Sequence, residues 1–367
     1  MFSPPPAAPE HPPDRTRGAV SNTEGRFATH TATGEDDGWF REDLPPPPRP
    51  TELLIDRTRR IITYNDAPDI PFDRSINPYK GCEHGCIYCF ARPSHSYLDL
   101  SPGLDFETKI AWKPDALKLL QQELAKPGYK VAPIAFGTNT DPWQPVEREL
   151  RVTRQLLEFL YECRHPVTVL TKGSLILRDV DLLAKFAEQN LVHAMVSVTT
   201  LDNELKAKLE PRASSGTTRL RAIRQLAAAG VPVGVMAAPM IPFINDHELE
   251  AILGSAREAG ATRAGYTLLR LPYEVKDLFG EWLQTHFPDR AERVMSAVRD
   301  IHGSRDAKFL NRREHTGAFA MLMAQRFAVA RRKAGYGQAV RGHDRRPLDV
   351  TRFCPPRPPS PQGDLFA

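Results

Sequence analysis

The sequence predicts an α/β fold, a partial barrel of the (β/α)6 type with a helical C-terminal extension and disordered termini. Two observations lead there. From about residue 130 to 270, apolar runs of five to eight residues, rich in β-branched types, alternate with amphipathic helical stretches. Strands that are apolar almost throughout are buried on both faces, the situation of a parallel sheet covered by helices. The second observation is where the 34 prolines lie, crowded into residues 1–50 and 345–361. There Pro, Gly, Ser and charge leave too little apolar surface to offset the entropy of ordering.

Taken in order, residues 1–50 read as a disordered Pro-rich segment, within which the short stretch Arg17–Phe27 is a candidate for local packing at a place the sequence does not specify. Order begins near Thr51, where TELLIDRTRRIITY alternates like strands. The barrel unit is expected over 51–272. Its strands are Val131–Phe136, Val167–Leu170, Ala194–Val198, Val231–Ala237 and Arg263–Leu269. Helices are expected at Pro145–Cys163, Asp179–Gln189, Thr217–Ala229 and Asp246–Ala259. The loops GTNTDP, TKG, TTLD and APMIPFIND follow strands, so they should converge at the C-terminal ends where such folds place their sites. Residues 273–340 read as a helical basic extension. In it, Glu314–Lys333 turns Phe319, Leu322, Met323 and Phe327 to one face, and Gly335 to Gly337 ends the helix. A Pro-rich disordered tail is expected over 341–367.

Composition narrows the function classes. With 41% hydrophobic and 26% charged residues, the chain has the balance of a globular protein. It has no run of about 18 apolar residues to span a membrane, and no apolar stretch of a secretory signal near Met1. A cytoplasmic, reducing location is the expectation, and five cysteines in such a chain argue against a disulfide framework. The net charge is only +4, but residues 290–352 hold 15 Lys/Arg against 6 Asp/Glu. Any contact with nucleic acid is therefore expected through 290–352.

Three of the five cysteines form one array, Gly81-Cys82-Glu83-His84-Gly85-Cys86-Ile87-Tyr88-Cys89. Cysteines scattered at this density would give a C-x3-C-x2-C array about once in a thousand chains of this length. A zinc knot with His84 as fourth ligand is one reading, although no second ligand pair accompanies it. The other is a [4Fe–4S] cluster, which normally takes four thiolates. Three leave one iron without a protein ligand, free to be chelated by the amine and carboxylate of a small molecule. Gly81 and Gly85 let the backbone wrap closely and turn N–H groups toward an anion.

The array, with Tyr88 before its last cysteine, resembles the radical S-adenosylmethionine superfamily. The likeness runs from about Ile76 to Leu269. It is closest to the branch containing spore photoproduct lyase, through IAFGTNTDPWQP, VLTKG, LEPR followed by TTRLRAI, and APMIPFIND. This resemblance implies a [4Fe–4S] cluster on Cys82, Cys86 and Cys89, bound S-adenosylmethionine, an external electron donor, and release of a 5′-deoxyadenosyl radical. It implies that Tyr88 lies beside the adenine and Thr140 near the amino and carboxylate groups of the methionine moiety. It further implies that Lys172 meets the cofactor carboxylate, Ser197 faces the ribose, and Ala238 passes the adenine through its backbone. The branch draws a hydrogen atom from a cysteine in the loop after the second strand. Here that loop, Gly137-Thr138-Asn139-Thr140-Asp141, has none. The resemblance thus carries the radical-forming machinery further than the lyase step, and no catalytic residue is assigned.

Other features have plainer readings. Cys163 is expected as a buried structural thiol, Cys354 as an inert one in the tail, and His84 as a solvent-facing loop residue. Glu210 and Arg212 read either as pocket residues or as an ion pair. The end Gln362-Gly363-Asp364-Leu365-Phe366 resembles the short peptide by which bacterial proteins dock on the DNA sliding clamp. Two rival functions share these features: a radical enzyme acting on a peptide or small metabolite, and a non-enzymatic iron–sulfur or zinc module on DNA.

Overall fold

The structure is a computed structural model that describes residues 16–28, 50–67, 70–302, 317–337 and 347–356. Ten strands are present among these residues: β1 (Glu52–Ile55), β2 (Ile62–Tyr64), β3 (Arg74–Ile76), β4 (Tyr79–Lys80), β5 (Lys109–Trp112), β6 (Ile134–Phe136), β7 (Val167–Thr171), β8 (Val192–Ser197), β9 (Val233–Met240) and β10 (Arg263–Leu268). Seven of them form one sheet in the order β10-β9-β8-β7-β6-β3-β2. From β3 to β10 every pairing is parallel, and β2 closes the edge antiparallel to β3. These six parallel strands are the partial barrel expected from the alternation. β1, β5 and β4 form a separate small sheet, so the TELLIDRTRRIITY stretch is divided between two sheets.

One face of the central strands is buried throughout, and the other is buried or partly covered. Val167 and Val169 in β7, Val192, Ala194 and Val196 in β8, and Val233 and Val235 in β9 are all nearly inaccessible. Each such side chain contributes about 1.5–3 kcal/mol when fully buried. Helices cover the sheet with matching stripes. Helix Val152–Glu162 buries Val152, Leu156, Leu157 and Leu160, spacings that share one helical face. Helix Asn203–Leu209 is capped by Asp202, whose side chain accepts from the N–H groups of Glu204 and Leu205. Helix Gly216–Ala228 is capped in the same way by Ser215, which accepts from Thr218.

Several expectations need correction. β3 and β4 were invisible because three and two residues are too short to show a period, and β5 with helix Ala116–Leu124 was missed as well. The strand expected over Val131–Phe136 starts only at Ile134. The helix expected over 145–163 is broken, because Arg151 takes a left-handed conformation (φ 52°) between Glu147–Leu150 and Val152–Glu162. In helix Gly317–Lys333, Met323 is buried and Phe319 and Phe327 pack on the core, but Leu322 is half exposed. Tyr336 anchors the end of that helix through its hydroxyl, which donates to Leu253 O at 2.8 Å.

Both Pro-rich ends also carry docked stretches. Residues 16–28 lie against the cysteine loop, with Arg17 and Ala19 buried. Residues 347–356 lie at the opposite end of the barrel: Asp349 N donates to Asn190 O, and Cys354 N to Cys163 O at 2.9 Å. Phe353 packs there on the rings of Tyr129 and His165. The disordered segments expected over 1–50 and 341–367 are therefore not uniform. Arg312, Arg313 and the sliding-clamp-like residues 362–366 fall outside the described residues.

Candidate active site

The cysteine loop begins where β4 ends, at the C-terminal end of the parallel strands. Its backbone is pinned from several sides. Cys82 N donates to Phe106 O (2.9 Å), Cys89 N to Cys86 O (3.2 Å) and Ile87 N to Leu209 O (3.1 Å). Gly85 is left-handed (φ 66°), and a Cβ there would lie 2.7 Å from the Glu107 carboxylate, so only glycine fits. Glu83, which reads from sequence as an ordinary loop acid, is a buried brace. Its N–H donates to Gln144 Oε1 (2.9 Å), and its carboxylate accepts from Val146 N (2.7 Å), Thr51 (2.5 Å) and Arg212 (3.1 Å).

Cys82 and Cys86 are buried and Cys89 nearly so. Burial pushes all three thiols up in pKa. The Asp141 carboxylate adds to this at Cys82, and Glu210 adds to it at Cys86, where Lys172 opposes both. Buried thiolates need positive charge to form, and metal coordination supplies it. Cys86 and Cys89 add to the rise at Cys82, and Cys89 adds to that at Cys86. Yet among the described residues no three His, Cys, Asp or Glu side chains gather around a single ion. Three thiols on one short loop are a donor set that a [4Fe–4S] cluster would fit.

Beside the loop, the ends of β8 and β9 and the loop after helix Asn203–Leu209 converge on the Lys172 ammonium, which follows β7. Its Nζ donates to Ser197 Oγ (2.6 Å), Ala238 O (3.2 Å) and Thr199 Oγ1 (3.3 Å), and lies 3.4 Å from Glu210 Oε1. It also sits 5.6 Å from the centre of the Tyr88 ring. Glu210 is fully buried and accepts from Thr199 Oγ1 (2.6 Å), from the Tyr88 hydroxyl and from the Arg219 guanidinium. Burial pushes the Glu210 pKa up, but Arg219 and Lys172 prevail and hold the carboxyl well below the usual carboxylate range. Arg219 is anchored in turn by the carbonyls of Ser197 (3.0 Å) and Ser214 (2.8 Å).

A second carboxylate joins the loops. Asp141 accepts from Thr171 Oγ1 (2.6 Å), Lys172 N (2.7 Å) and Trp143 N (2.9 Å), and its other contact is His84 Nδ1 at 3.4 Å. His84 is thus buried against Asp141, not solvent-facing as the sequence suggested. Asp141 is also held low: burial raises its pKa, and His84 and these donors more than offset that.

The structure therefore brings Tyr88, Lys172, Ser197 and Ala238 together beside Cys86. It places Thr140 elsewhere, with its hydroxyl donating to Tyr79 O (2.9 Å). Thr140 belongs to a frame around Asn77, whose Oδ1 accepts from Asn139 N (3.0 Å) and Thr140 N (3.4 Å). Asn77 O accepts from Lys113 (2.6 Å), whose pKa burial lowers to about 8. Of the alternatives left open for LEPR, Glu210 forms a buried ion pair with Arg219, and Arg212 pairs with Glu83. Thr199, Arg219 and Asp141 were missed. One signal for Arg219 was present: a charge three, four and seven residues ahead of Ala222, Ile223 and Leu226, on the helix's buried face.

Comparison with known proteins agrees with this geometry. Residues 76–256 match the Radical SAM superfamily. An uncharacterized protein of Mycobacterium bovis is 36% identical over 236 residues, which cover 64% of this chain and 69% of that protein. Among solved structures, a tyrosine-to-phenylalanine variant of spore photoproduct lyase shares the fold, with a TM-score of 0.53 at 15% identity over 78% of this chain and 79% of that one. The same lyase complexed with dinucleoside spore photoproduct gives 0.51 at 15% identity, over 77% and 79%. Another variant of the lyase aligns over 65% of its own length, less than two thirds. With the cysteine loop at the mouth of a six-stranded parallel barrel and this match across its strands, the chain belongs to the radical SAM superfamily of enzymes.

Proposed function

We propose that the chain cleaves S-adenosylmethionine reductively at a [4Fe–4S] cluster on Cys82, Cys86 and Cys89. The observation that carries this is the cysteine loop lying beside Lys172, Ser197 and Ala238 at adjoining strand ends. When bound, the cluster supplies the electron that breaks the sulfonium carbon–sulfur bond, and an iron without a protein ligand for the amino acid end of the cofactor.

The chain's own residues bind and orient. Lys172 exchanges one of its neutral acceptors for the cofactor carboxylate, and Glu210 keeps the ammonium aimed while Arg219 neutralises that acid. Tyr88 offers a ring face, because its hydroxyl is committed to Glu210. Ser197 Oγ and the Ala238 carbonyl supply polar edges for ribose and adenine. Thr140 serves the methionine end indirectly, by bracing the loop that carries Asp141.

Anaerobic reconstitution, dithionite reduction and chromatography for 5′-deoxyadenosine test this reading. The intact chain is expected to form the product, and C82A/C86A/C89A to retain no iron and form none. Lys172→Met should weaken S-adenosylmethionine binding by about 10- to 100-fold, the worth of one charged hydrogen bond. Iron bound but no product from the intact chain would reject the proposal.

The substrate proposed is nucleic acid. Support comes from the basic end of helix Gly317–Lys333, where Arg332 and Lys333 are exposed beside Arg331, and from the fold shared with a lyase whose complex holds a dinucleoside photoproduct. Retention on DNA at low salt that is lost at moderate salt is the expected result. Salt-independent behaviour favours a peptide or small metabolite. The sliding clamp remains a proposed partner through 362–366, and an external reductant a required one.

A further inference from the structure

The segment around Arg17 belongs to no strand or helix and lies about 60 residues ahead of the cysteine loop in sequence, yet it is built into that loop. We propose that residues 17–26 are a strap that positions Cys86 and shields the metal site, an assignment that rests on the cluster reading above.

The joint is a single carboxylate. Glu107, fully buried, accepts from Gly18 N and Ala19 N (2.9 Å each) and from the Arg92 guanidinium (2.5 Å), while Arg17 Nη1 donates to Glu107 O (2.9 Å). Arg92, also fully buried, donates through Nε to Cys86 O (2.9 Å) and through Nη1 to Gly103 O (2.8 Å) and Pro102 O (3.1 Å). Strap, acid, guanidinium and the Cys86 peptide thus form one hydrogen-bonded chain. Each buried charge in it has partners, so losing the strap would leave Glu107 with two acceptor positions unfilled.

Contact is also direct. A Cβ on Gly18 would lie 1.8 Å from Gly85 O, so the strap's backbone presses on the cysteine loop at a position only glycine tolerates. Ala19 packs in the same apolar cluster as Cys86, Ile87 and Tyr88. Beyond it the strap reaches the far side of the mouth. Ser21 Oγ donates to Glu281 (2.6 Å), Arg26 pairs with Glu274 (3.0 Å), and the Arg26 guanidinium stacks 3.7 Å from the Tyr273 ring. The strap therefore ties the cysteine loop to helix Val275–His286. Gly18 and Arg17 are positioning residues, acting on the metal site through Glu107 and Arg92.

The test uses full-length chains reconstituted anaerobically: the parent, G18V, R17A, and F27A as a control at a half-exposed position just beyond the strap. Iron per chain, the electron paramagnetic resonance line shape after reduction, the decay of visible absorbance in air, hydrogen exchange over residues 17–20 and thermal unfolding are read for each. In G18V, exchange should rise and absorbance decay about tenfold faster, as expected when a covering segment opens more often. The resonance line shape should change while the unfolding midpoint stays near the parent's. R17A should shift in the same direction by less, and decides the matter if G18V does not fold; F27A should match the parent. Faster exchange with parental decay and line shape overturns the strap's role. A parent chain that takes up no iron overturns the cluster reading, and the strap's role with it.

Discussion

The two ends of the barrel are each crossed by a stretch of chain from a Pro-rich terminus, and they hold it by opposite means. At the C-terminal ends of the strands, residues 17–26 attach through buried charge, with Glu107 and Arg92 at the joint. The mouth beneath carries further carboxylates, the buried Glu83 and Glu210 and the largely covered Asp141, each satisfied by several donors. At the N-terminal ends, residues 347–356 attach through two backbone hydrogen bonds and the Phe353 ring on Tyr129 and His165. The lesson is one of division. Neutral hydrogen bonds and ring packing close the N-terminal end, whereas the mouth is held by desolvated charges that need one another as partners.

The sharpest way to break that contrast is at the mouth. Arg219→Met leaves Glu210 buried without its main counter-charge, and should cost about 3–5 kcal/mol in urea unfolding. A cost under about 1 kcal/mol would mean that the charge network is not what holds the mouth.

At the other end, a pH titration sharpens the comparison. Burial, assisted by the Arg74 cation, lowers the His165 pKa from 6.5 to about 4, although the Pro166 carbonyl opposes the shift. Its folded form is therefore neutral while the unfolded form binds a proton. The stability it contributes is complete above about pH 6.5 and lost as pH falls toward 4, on the order of 3 kcal/mol in all. His165→Gln should flatten the slope of unfolding free energy over that window, and an unchanged slope would remove His165 as its source.

Phe353→Ala tests the apolar part of the tail's hold. The ring is only partly buried, so about 1–2 kcal/mol is expected. Faster proteolysis near residue 350 should accompany the loss, and an unchanged cleavage rate would show that the ring does not pin the tail. The smallest effect belongs to Arg326, which pairs with Glu250 (2.7 Å) and Asp246 (3.4 Å) on the surface. Arg326→Ala should cost under about 1 kcal/mol, and less still in high salt; a larger value would place buried-type charge outside the mouth.

Legibility followed physical scale. Strands of five to eight residues with a buried face imprint an apolar run that needs no partner to be seen, and β7, β8, β9 and β10 were read to within three residues of their ends. β3, β4 and β5 carry two to four residues each, and their pairing depends on neighbours far away in sequence. Among the site residues, the cysteine array announced itself by spacing. Tyr88, Lys172, Ser197 and Ala238 followed from family likeness, and the structure brings them together. Thr140 it sets apart, because its hydroxyl is taken by Tyr79 O. Glu210 and Arg219 are nine residues apart on either side of a turn; the helical spacing hints that Arg219 is buried, but nothing local says that Glu210 is buried with it.

What the chain's own order of residues determined is the alternation of strand and helix, and the three thiols at the spacing of the C-x3-C-x2-C array. Both are local properties, set by side-chain period and covalent spacing. Only the folded arrangement decided which charges are desolvated together, that Asp141 meets His84, and that Gly18 closes on Gly85. Those outcomes depend on the distance between segments that the sequence keeps far apart, and on the energy of removing both from water at once.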